Sequence, residues 1–299
     1  MSKQNKVPQS LLSLRNDAVF KMFFSKKENE EQLRGFLKAM INFTDEDLAF
    51  VEVKNPTLTK ESVGDKDFIV DVRIVSATGH RLNMEMQMQN HDGFIDRMTS
   101  YNARQYASQL KRGEGYAKLK ASISIVVTNF ELFDDTDEAY EFITYRRRNG
   151  KIFTDAQQFH ILDLTKLPKK LRSDYHIWGA LFKVRSSEEL KKIMTKSEEM
   201  KQAGEKLLQL SADEEAREIA RAREESQWAW QHTLYHTEER ARKEGHVEGQ
   251  QAGSYEKAIE VAMKMIERGD SLADIFELTD LPMDTIEKLE KSIWGEKNV

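Results

Sequence analysis

Two neighbouring segments of the chain alternate between apolar and polar residues in a way that is typical of paired β-strands. Apolar side chains share one face of each segment. They are Phe68, Val70, Val72 and Ile74 in the first segment, and Leu82, Met84, Met86 and Met88 in the second. A three-residue loop over 77–79, with Gly79 in the left-handed conformation, pairs Ser76 with His80. This register predicts a β-hairpin that places Asp71 directly opposite Glu85 on the polar face.

Helices are predicted before the hairpin, and a further helix and strands after it. Asn16 or Asp17 can cap a short helix with inward phenylalanines, and residues 28–42 form an amphipathic second helix before a weak strand at 51–54. A helix is predicted over 92–112, with Ile95 among its inward residues and an end at Gly113. The apolar run over 122–128 indicates a strand covered on both faces, and segments 140–145 and 159–164 extend the sheet. This order predicts an α/β fold with an αβββαβ core, in which helices flank a mixed sheet.

The composition changes beyond about residue 186, where Glu, Lys, Arg, Ala and Gln dominate and no proline occurs until Pro282. This pattern favours long exposed helices, and therefore an all-α C-terminal extension. A capped helix is expected from Ser254 to Arg268, with two shorter helices after Gly269. We therefore predict a first domain over 1–185, a charged helical linker over 186–253 and a small acidic helical module over 254–299.

Charge and cysteine content set limits on function. The formal net charge is −5, and residues 254–299 alone hold six Lys or Arg against eleven Asp or Glu, so the rest of the chain is formally neutral. The absence of cysteine excludes disulfides and thiolate zinc sites, which suits a reducing cytoplasm. No apolar run approaches the about 20 residues that span a bilayer, so a membrane partner is not expected.

The hairpin carries the candidate chemistry. Carboxylates that face each other across two strands repel, so Asp71 and Glu85 need a compensating cation. A divalent metal ion with oxygen ligands would supply it, and Gln87 on the same face can orient a water or a phosphate. The alternative is a solvated polar face on an edge hairpin, which alternation alone does not distinguish from a metal site.

Several blocks of sequence resemble one family. They are residues 16–24, Asp71-Val72, Glu85-Met86-Gln87, and then Arg97, Tyr101, Tyr106, Gln109-Leu110, Gly113, Tyr116 and Leu119. Asp71 followed by Glu85-Met86-Gln87 is similar to the PD-(D/E)XK nuclease motif, with Gln in place of the usual Lys. The set of blocks resembles the Rpn group of recombination-promoting nucleases, also called PD-(D/E)XK family transposases, over roughly residues 10–185.

This resemblance implies a restriction-endonuclease-like core and a metal-dependent DNA endonuclease. Asp71 and Glu85 would bind Mg²⁺ or Mn²⁺, the carbonyl of Met86 would complete the ligand set, and Gln87 would occupy the position of the catalytic Lys. Because a neutral Gln only forms hydrogen bonds, the group that activates water is left open. A role in recombination, DNA mobility or defence follows from the family alone.

Further residues have two interpretations each. Asp17 is either a helix cap or a supporting residue of the site, and Arg97, Tyr101 and Gln109 are either packing residues or supporting ones. Arg97 is the best phosphate-binding candidate among them. Basic clusters that can meet backbone phosphates, or simply be solvated, contain Lys111, Arg112, Arg146, Arg147 and Arg148.

Two functions therefore compete on the sequence. The first is a Mg²⁺-dependent endodeoxyribonuclease that acts on DNA. The second is a weak or inactive nuclease fold that serves as a DNA-associated or protein-binding scaffold through its helical tail. The apolar residues around Trp228 and Trp230 need a partner, which either homo-oligomerisation through the C-terminal helices or packing back on the core would supply. The last helices have helix-turn-helix spacing, but their acidity makes a DNA reader improbable.

Overall fold

The structure is a computed structural model that describes residues 10–54, 72–90 and 92–295. Within these ranges the chain forms nine α-helices and six β-strands. The helices are α1 (Asp17–Ser25), α2 (Glu30–Met40), α3 (Phe94–Ala107), α4 (Asp174–Lys183), α5 (Ser187–Met194), α6 (Glu198–Ala212), α7 (Glu214–Arg268), α8 (Leu272–Thr279) and α9 (Met283–Trp294). The strands are β1 (Val51–Val53), β2 (Val72–Ser76), β3 (Arg81–Gln87), β4 (Ser122–Thr128), β5 (Tyr140–Arg146) and β6 (Ile152–Asp163).

The strands form one mixed sheet with the order β1-β2-β3-β4-β6-β5. Strands β1, β2 and β3 pair antiparallel, β4 is parallel to both β3 and β6, and β5 returns antiparallel at the far edge. All seven residues of β4 are buried, as expected for a central strand with both faces covered. The predicted αβββαβ core, the additional strands and the flanking helices are confirmed.

The predicted register of the hairpin is confirmed over its described residues. The N–H of Ser76 donates to the carbonyl of His80 at 3.0 Å, and Gly79 has a φ of +91°. Val72 pairs with Met84. Asp71, which the same register places opposite Glu85, lies outside the described residues.

A cluster of aromatic side chains fills one face of the sheet. Phe24 and Phe36 stack at 5.2 Å, and Trp178 and Phe182 from α4 pack against both of them. Each of these rings is completely buried. The amphipathic pattern of the first two helices predicted this inward face correctly.

Helix α3 packs on the opposite face of the sheet, where Phe94 and Met98 contact Val126 and Ile161. The predicted bounds 92–112 were too wide. The helix begins after Gly93, whose φ is +76°, and it ends well before Gly113 because the side-chain amide of Gln109 bonds to the backbone of Lys120. Ile95, predicted to face inward, is 48% exposed because its position points away from the Phe94–Met98 stripe.

The described residues form two compact units, one up to Gln227 and one from Trp228. In the first unit, the main core extends beyond the sheet into α5, α6 and the start of α7, through residues that include Leu190, Leu207 and Ile219. The second unit has its own small apolar core in α7, α8 and α9, with Ala262, Ile275 and Ile286 at its centre. The domain limits at 185 and 253 stay predictions.

Helix α7 runs without a break from Glu214 to Arg268 and ends before Gly269, whose φ is +88°. The predicted end is confirmed, but the predicted start at Ser254 is wrong. Ser254 lies inside the helix, where the preceding residues continue the hydrogen-bonded turns, so no cap is needed. In the part of the chain that the structure describes, no helix combines the length and apolar character needed to cross a bilayer.

The buried His160 predicts a measurable dependence of stability on pH. Its Nδ1 lies 2.7 Å from the hydroxyl of Tyr140, and burial lowers the pKa of His160 to about 4 from its ordinary value of 6.5. Below pH 6.5 the unfolded chain therefore takes up a proton that the folded chain does not, so stability falls as the pH falls towards 4. We expect this residue to lower the free energy of unfolding by about 2 kcal/mol between pH 7 and pH 5.

Urea denaturation at the two pH values, comparing wild type with His160→Gln, measures this contribution. The variant should show a smaller loss of stability between pH 7 and pH 5 than wild type. His232, which is exposed on α7, gives a matched control, because His232→Gln should keep the wild-type dependence. Equal pH dependence in wild type and His160→Gln would contradict the prediction.

Candidate functional site

Glu85 is a buried carboxylate on the third strand of the sheet. Strand β3 lies between β2 and β4, where Glu85 pairs with Val126, and its side chain points to the face that α3 covers. The residue is 8% exposed. Because a buried carboxylate is costly without a partner, the surrounding side chains must compensate its charge.

Arg97 on α3 provides that compensation. Its Nη2 donates to Oε1 of Glu85 at 2.6 Å and to Oε1 of Gln87 at 3.2 Å. The amide Nε2 of Gln87 in turn donates to the carbonyl of Gln89 at 3.0 Å. Three residues singled out by the sequence therefore meet at one point, with the cation bridging the carboxylate and the amide.

A buried amide holds α3 in place above this point. Asn102 is 1% exposed, and its Nδ2 donates to the carbonyl of Ser122 at 3.1 Å and to Oγ of Ser124 at 3.0 Å. The sequence analysis missed Asn102. A sequence pattern could have identified it. Asn102 follows Met98 by four residues, which places a polar side chain on the apolar face of an amphipathic helix.

The backbone of β3 orients the carbonyl of Met86 towards β2. The N–H of Arg81 donates to Ala121 and the carbonyl of Gln87 accepts from Asn129, so odd-numbered residues of β3 bond on the β4 side. Since successive residues of a strand present their backbone groups to opposite sides, Met86 faces the β2 side. That is the side on which the hairpin register continues towards residue 71.

A divalent metal ion would find hard oxygen ligands at this place. Glu85 offers a carboxylate and Met86 a backbone carbonyl, and both are donor types that Mg²⁺ and Mn²⁺ accept. Within residues 10–54, 72–90 and 92–295, no three His, Cys, Asp or Glu side chains are grouped closely enough to hold a metal ion. The second predicted carboxylate, Asp71, lies outside those residues, so the donors that are described fit a metal without forming a complete ligand set.

Asp17 has a different partner from the one expected at a metal site. Asn16 is the helix cap, with its Oδ1 accepting from the N–H groups of Ala18 and Val19. Asp17, the first residue of α1, instead forms a bidentate ion pair with Arg223 of α7, with its Oδ1 accepting from Nε of Arg223 at 2.8 Å and its Oδ2 from Nη2 at 2.5 Å. No local pattern indicates this pair, because the two residues are 206 positions apart in the chain.

The other predicted site residues are spread over the first unit. Tyr101 lies on α3 one turn beyond Arg97, and the amide of Gln109 is bonded to the backbone of Lys120 at 2.9 and 3.0 Å. Lys111 and Arg112 are exposed after α3. Arg146, Arg147 and Arg148 are exposed at the turn between β5 and β6, at the opposite edge of the sheet from β1. These cations are accessible, and their role in binding DNA stays a prediction.

Comparison with known protein families identifies the family of the chain. A family model described as "PD-(D/E)XK nuclease family transposase" matches residues 14–237, about three quarters of the chain. The match includes the hairpin, α3 and the segment of α7 that contains Arg223. No curated protein and no solved structure matches the chain.

Proposed function

The chain belongs to the PD-(D/E)XK nuclease family transposases, and from this premise we propose that it is a metal-dependent endonuclease that hydrolyses phosphodiester bonds in DNA. One observation carries the proposal. The buried carboxylate of Glu85 and the amide of Gln87 lie two residues apart on β3, and Arg97 joins them.

In this proposal Asp71, Glu85 and the carbonyl of Met86 hold the metal ion, with Mg²⁺ or Mn²⁺ as the expected ions. Two aspects of the described geometry support the assignment: Glu85 is buried in a strand, and the Met86 carbonyl is directed towards β2. A bound divalent ion lowers the pKa of a coordinated water and stabilises charge on the phosphate. The protein's own contribution is to hold Glu85 in a buried position on β3.

Arg97 compensates for the missing lysine of the motif. Gln87 is neutral, whereas the guanidinium of Arg97 carries a permanent positive charge 3.2 Å from the Gln87 oxygen. The side chain of Arg97 is 39% exposed, so its guanidinium is accessible to an incoming phosphate. We propose that Arg97 stabilises the negative charge that develops on the phosphate, while Gln87 fixes the orientation of Arg97. Because an arginine does not lose its proton, it does not act as the base.

Other roles in the proposal are supporting ones. Asp17 fixes α1 to α7 through Arg223, and Tyr101 and Gln109 position α3 and its following turn. The DNA backbone phosphates away from the bond that is cut would contact Lys111, Arg112 and the cluster Arg146, Arg147 and Arg148. The exposed Trp228, Trp230 and Tyr235 on α7 support self-association through the C-terminal helices. Roles in recombination, DNA mobility or defence belong to the proposal as well.

Removal of metal tests the function. Purified full-length protein should convert supercoiled plasmid to nicked or linear DNA with Mg²⁺ or Mn²⁺, and EDTA should abolish the reaction because the carboxylates alone do not activate water. Adding excess metal after EDTA should restore it. Cleavage that persists in EDTA would contradict metal dependence. A protein that cuts with neither ion would favour the scaffold function instead.

A further inference from the structure

A pocket of about 580 Å³ lies beside Glu85, between α3 and the strands β2 and β3. Four cationic side chains line it, and none of its described lining residues is Asp or Glu. The cations are Lys54, Arg73, Arg81 and Arg104. We call this the basic pocket. None of these four residues attracted attention in the sequence, because they lie on three different elements and in the loop after β1.

The basic pocket lies on the same face of β3 as Glu85. Asn83 lines the pocket and precedes Glu85 by two residues on the same strand face, a separation of about 7 Å. On the facing helix, Arg97, Tyr101 and Arg104 follow each other at spacings of four and three residues and so form one stripe. The amide of Gln105 donates to the carbonyl of Leu82 at 3.5 Å and holds the stripe beside β3.

The register of the sheet brings the cations together. The N–H of Lys54 donates to the carbonyl of Arg73 at 2.8 Å, and Arg73 pairs with Asn83 on β3. Arg81 lies one step along the same face of β3, and Arg104 faces it from α3. Glu52, exposed on β1, forms an ion pair with Lys54 and offsets part of its charge. Arg81 and Arg104 add two guanidinium charges on facing elements, which favours an anion between them.

We propose that the basic pocket binds the backbone phosphates of the DNA strand on one side of the bond that is cut. This inference rests on the proposed nuclease function and adds the place where the substrate strand lies. Arginine guanidinium groups match phosphate oxygens in pairs. A polymer suits the pocket better than a free nucleotide, because Glu85 lies only about 7 Å beyond Asn83 along β3 and one DNA strand can reach both places.

The double variant Arg81→Gln/Arg104→Gln in the full-length protein tests the proposal. Binding of a labelled 20-base-pair DNA is followed by fluorescence anisotropy at several salt concentrations, with EDTA present to prevent cleavage. If each arginine contacts one phosphate, the slope of log affinity against log salt should fall by about 1.8 and the affinity by on the order of 10-fold. Arg240→Gln/Arg242→Gln, which removes the same charge from exposed positions of α7, should leave both quantities close to wild type.

Three outcomes separate this inference from the nuclease proposal. If wild type does not cut DNA but the pocket variant still loses salt-dependent binding relative to the α7 control, the pocket assignment holds and the nuclease function fails. If wild type cuts and the pocket variant binds and cuts like the control, the pocket assignment is wrong. A third result would also overturn the inference. If deoxynucleoside monophosphates bind in the pocket while wild type and the pocket variant bind the 20-base-pair DNA equally well, the pocket is a nucleotide site.

Cleavage kinetics give a second readout with metal present. Because Arg81 and Arg104 lie away from Glu85, their replacement should raise KM for DNA while kcat stays close to wild type. A large loss of kcat with unchanged KM would place these arginines at the reacting phosphate and contradict the proposed location. Thermal unfolding of both double variants checks that each protein is folded under the assay conditions.

Discussion

Replacing Glu85 by Gln should lower metal-dependent DNA cleavage by on the order of 100-fold or more while leaving the protein folded. The substitution removes the negative charge that a divalent ion requires, yet it keeps an oxygen that can accept from Nη2 of Arg97 at the present 2.6 Å. The shape of the site is therefore preserved while its charge is lost. Initial rates of plasmid nicking, with thermal unfolding measured on the same samples, separate a catalytic effect from an effect on stability.

The same assay with Asp71→Ala tests the second proposed metal ligand, and a loss of similar size is expected. Glu141→Gln on β5 is a matched control, since it makes the same chemical change at the other edge of the sheet and should cut like wild type. A Glu85→Gln protein that cuts at the wild-type rate would remove Glu85 from the proposed site. If Glu85→Gln is unfolded at the assay temperature, Glu85→Asp is the second variant to measure. It keeps the charge and should retain more activity than Glu85→Gln.

Replacing Arg223 by Met should lower the free energy of unfolding by about 2 to 3 kcal/mol. The side chain of Asp17 is 11% exposed and that of Arg223 is 21% exposed, so the change leaves a largely buried carboxylate without its bidentate partner. Breaking a fully buried pair costs about 3 to 5 kcal/mol, and the residual exposure of Arg223 places the expected value below that range. Urea denaturation of the full-length protein measures the loss.

A double-mutant cycle distinguishes the pair from the separate side chains. Asp17→Asn/Arg223→Met removes both charges, so it should be less destabilised than the sum of the two single variants. Arg221→Met, two residues earlier on α7 and exposed, is the matched control and should change stability by less than about 0.5 kcal/mol. If the loss of stability in the double variant equals the sum of the losses in the two single variants, the ion pair contributes no coupling energy.

The elements of the fold follow closely from local patterns. The alternation in the hairpin, the buried run in β4 and the amphipathic stripes of α1 and α2 are properties of neighbouring residues, and the structure confirms each of them. The errors occurred at helix ends. The end of α3 depends on Gln109, whose amide bonds to Lys120, and the continuity of α7 depends on turns that precede Ser254. Such contacts outweigh the local signals that a glycine or a serine provides.

Some residues of the candidate site could likewise be predicted from local patterns, whereas the contacts of others depend on packing. The motif spacing and the alternation of β3 were enough to select Glu85 and Gln87, because both are encoded within a few residues of one strand. Arg97 was a candidate on sequence, but its hydrogen bonds to both side chains depend on how α3 lies across the sheet. The family match over residues 14–237 agrees with the blocks on which the resemblance was based.

The order of strands and helices up to β6, the register of the hairpin and the family were predictable from local patterns. These features depend on periodicity and on motifs that are continuous along the chain. Packing alone brings Arg97 to Glu85, Asn102 to β4, Asp17 to Arg223 and four cations to the lining of one pocket. The difference follows from separation along the chain. Charges and amides far apart in sequence acquire their partners only when the sheet and the helices pack, and a sequence pattern does not encode which side chain will face which.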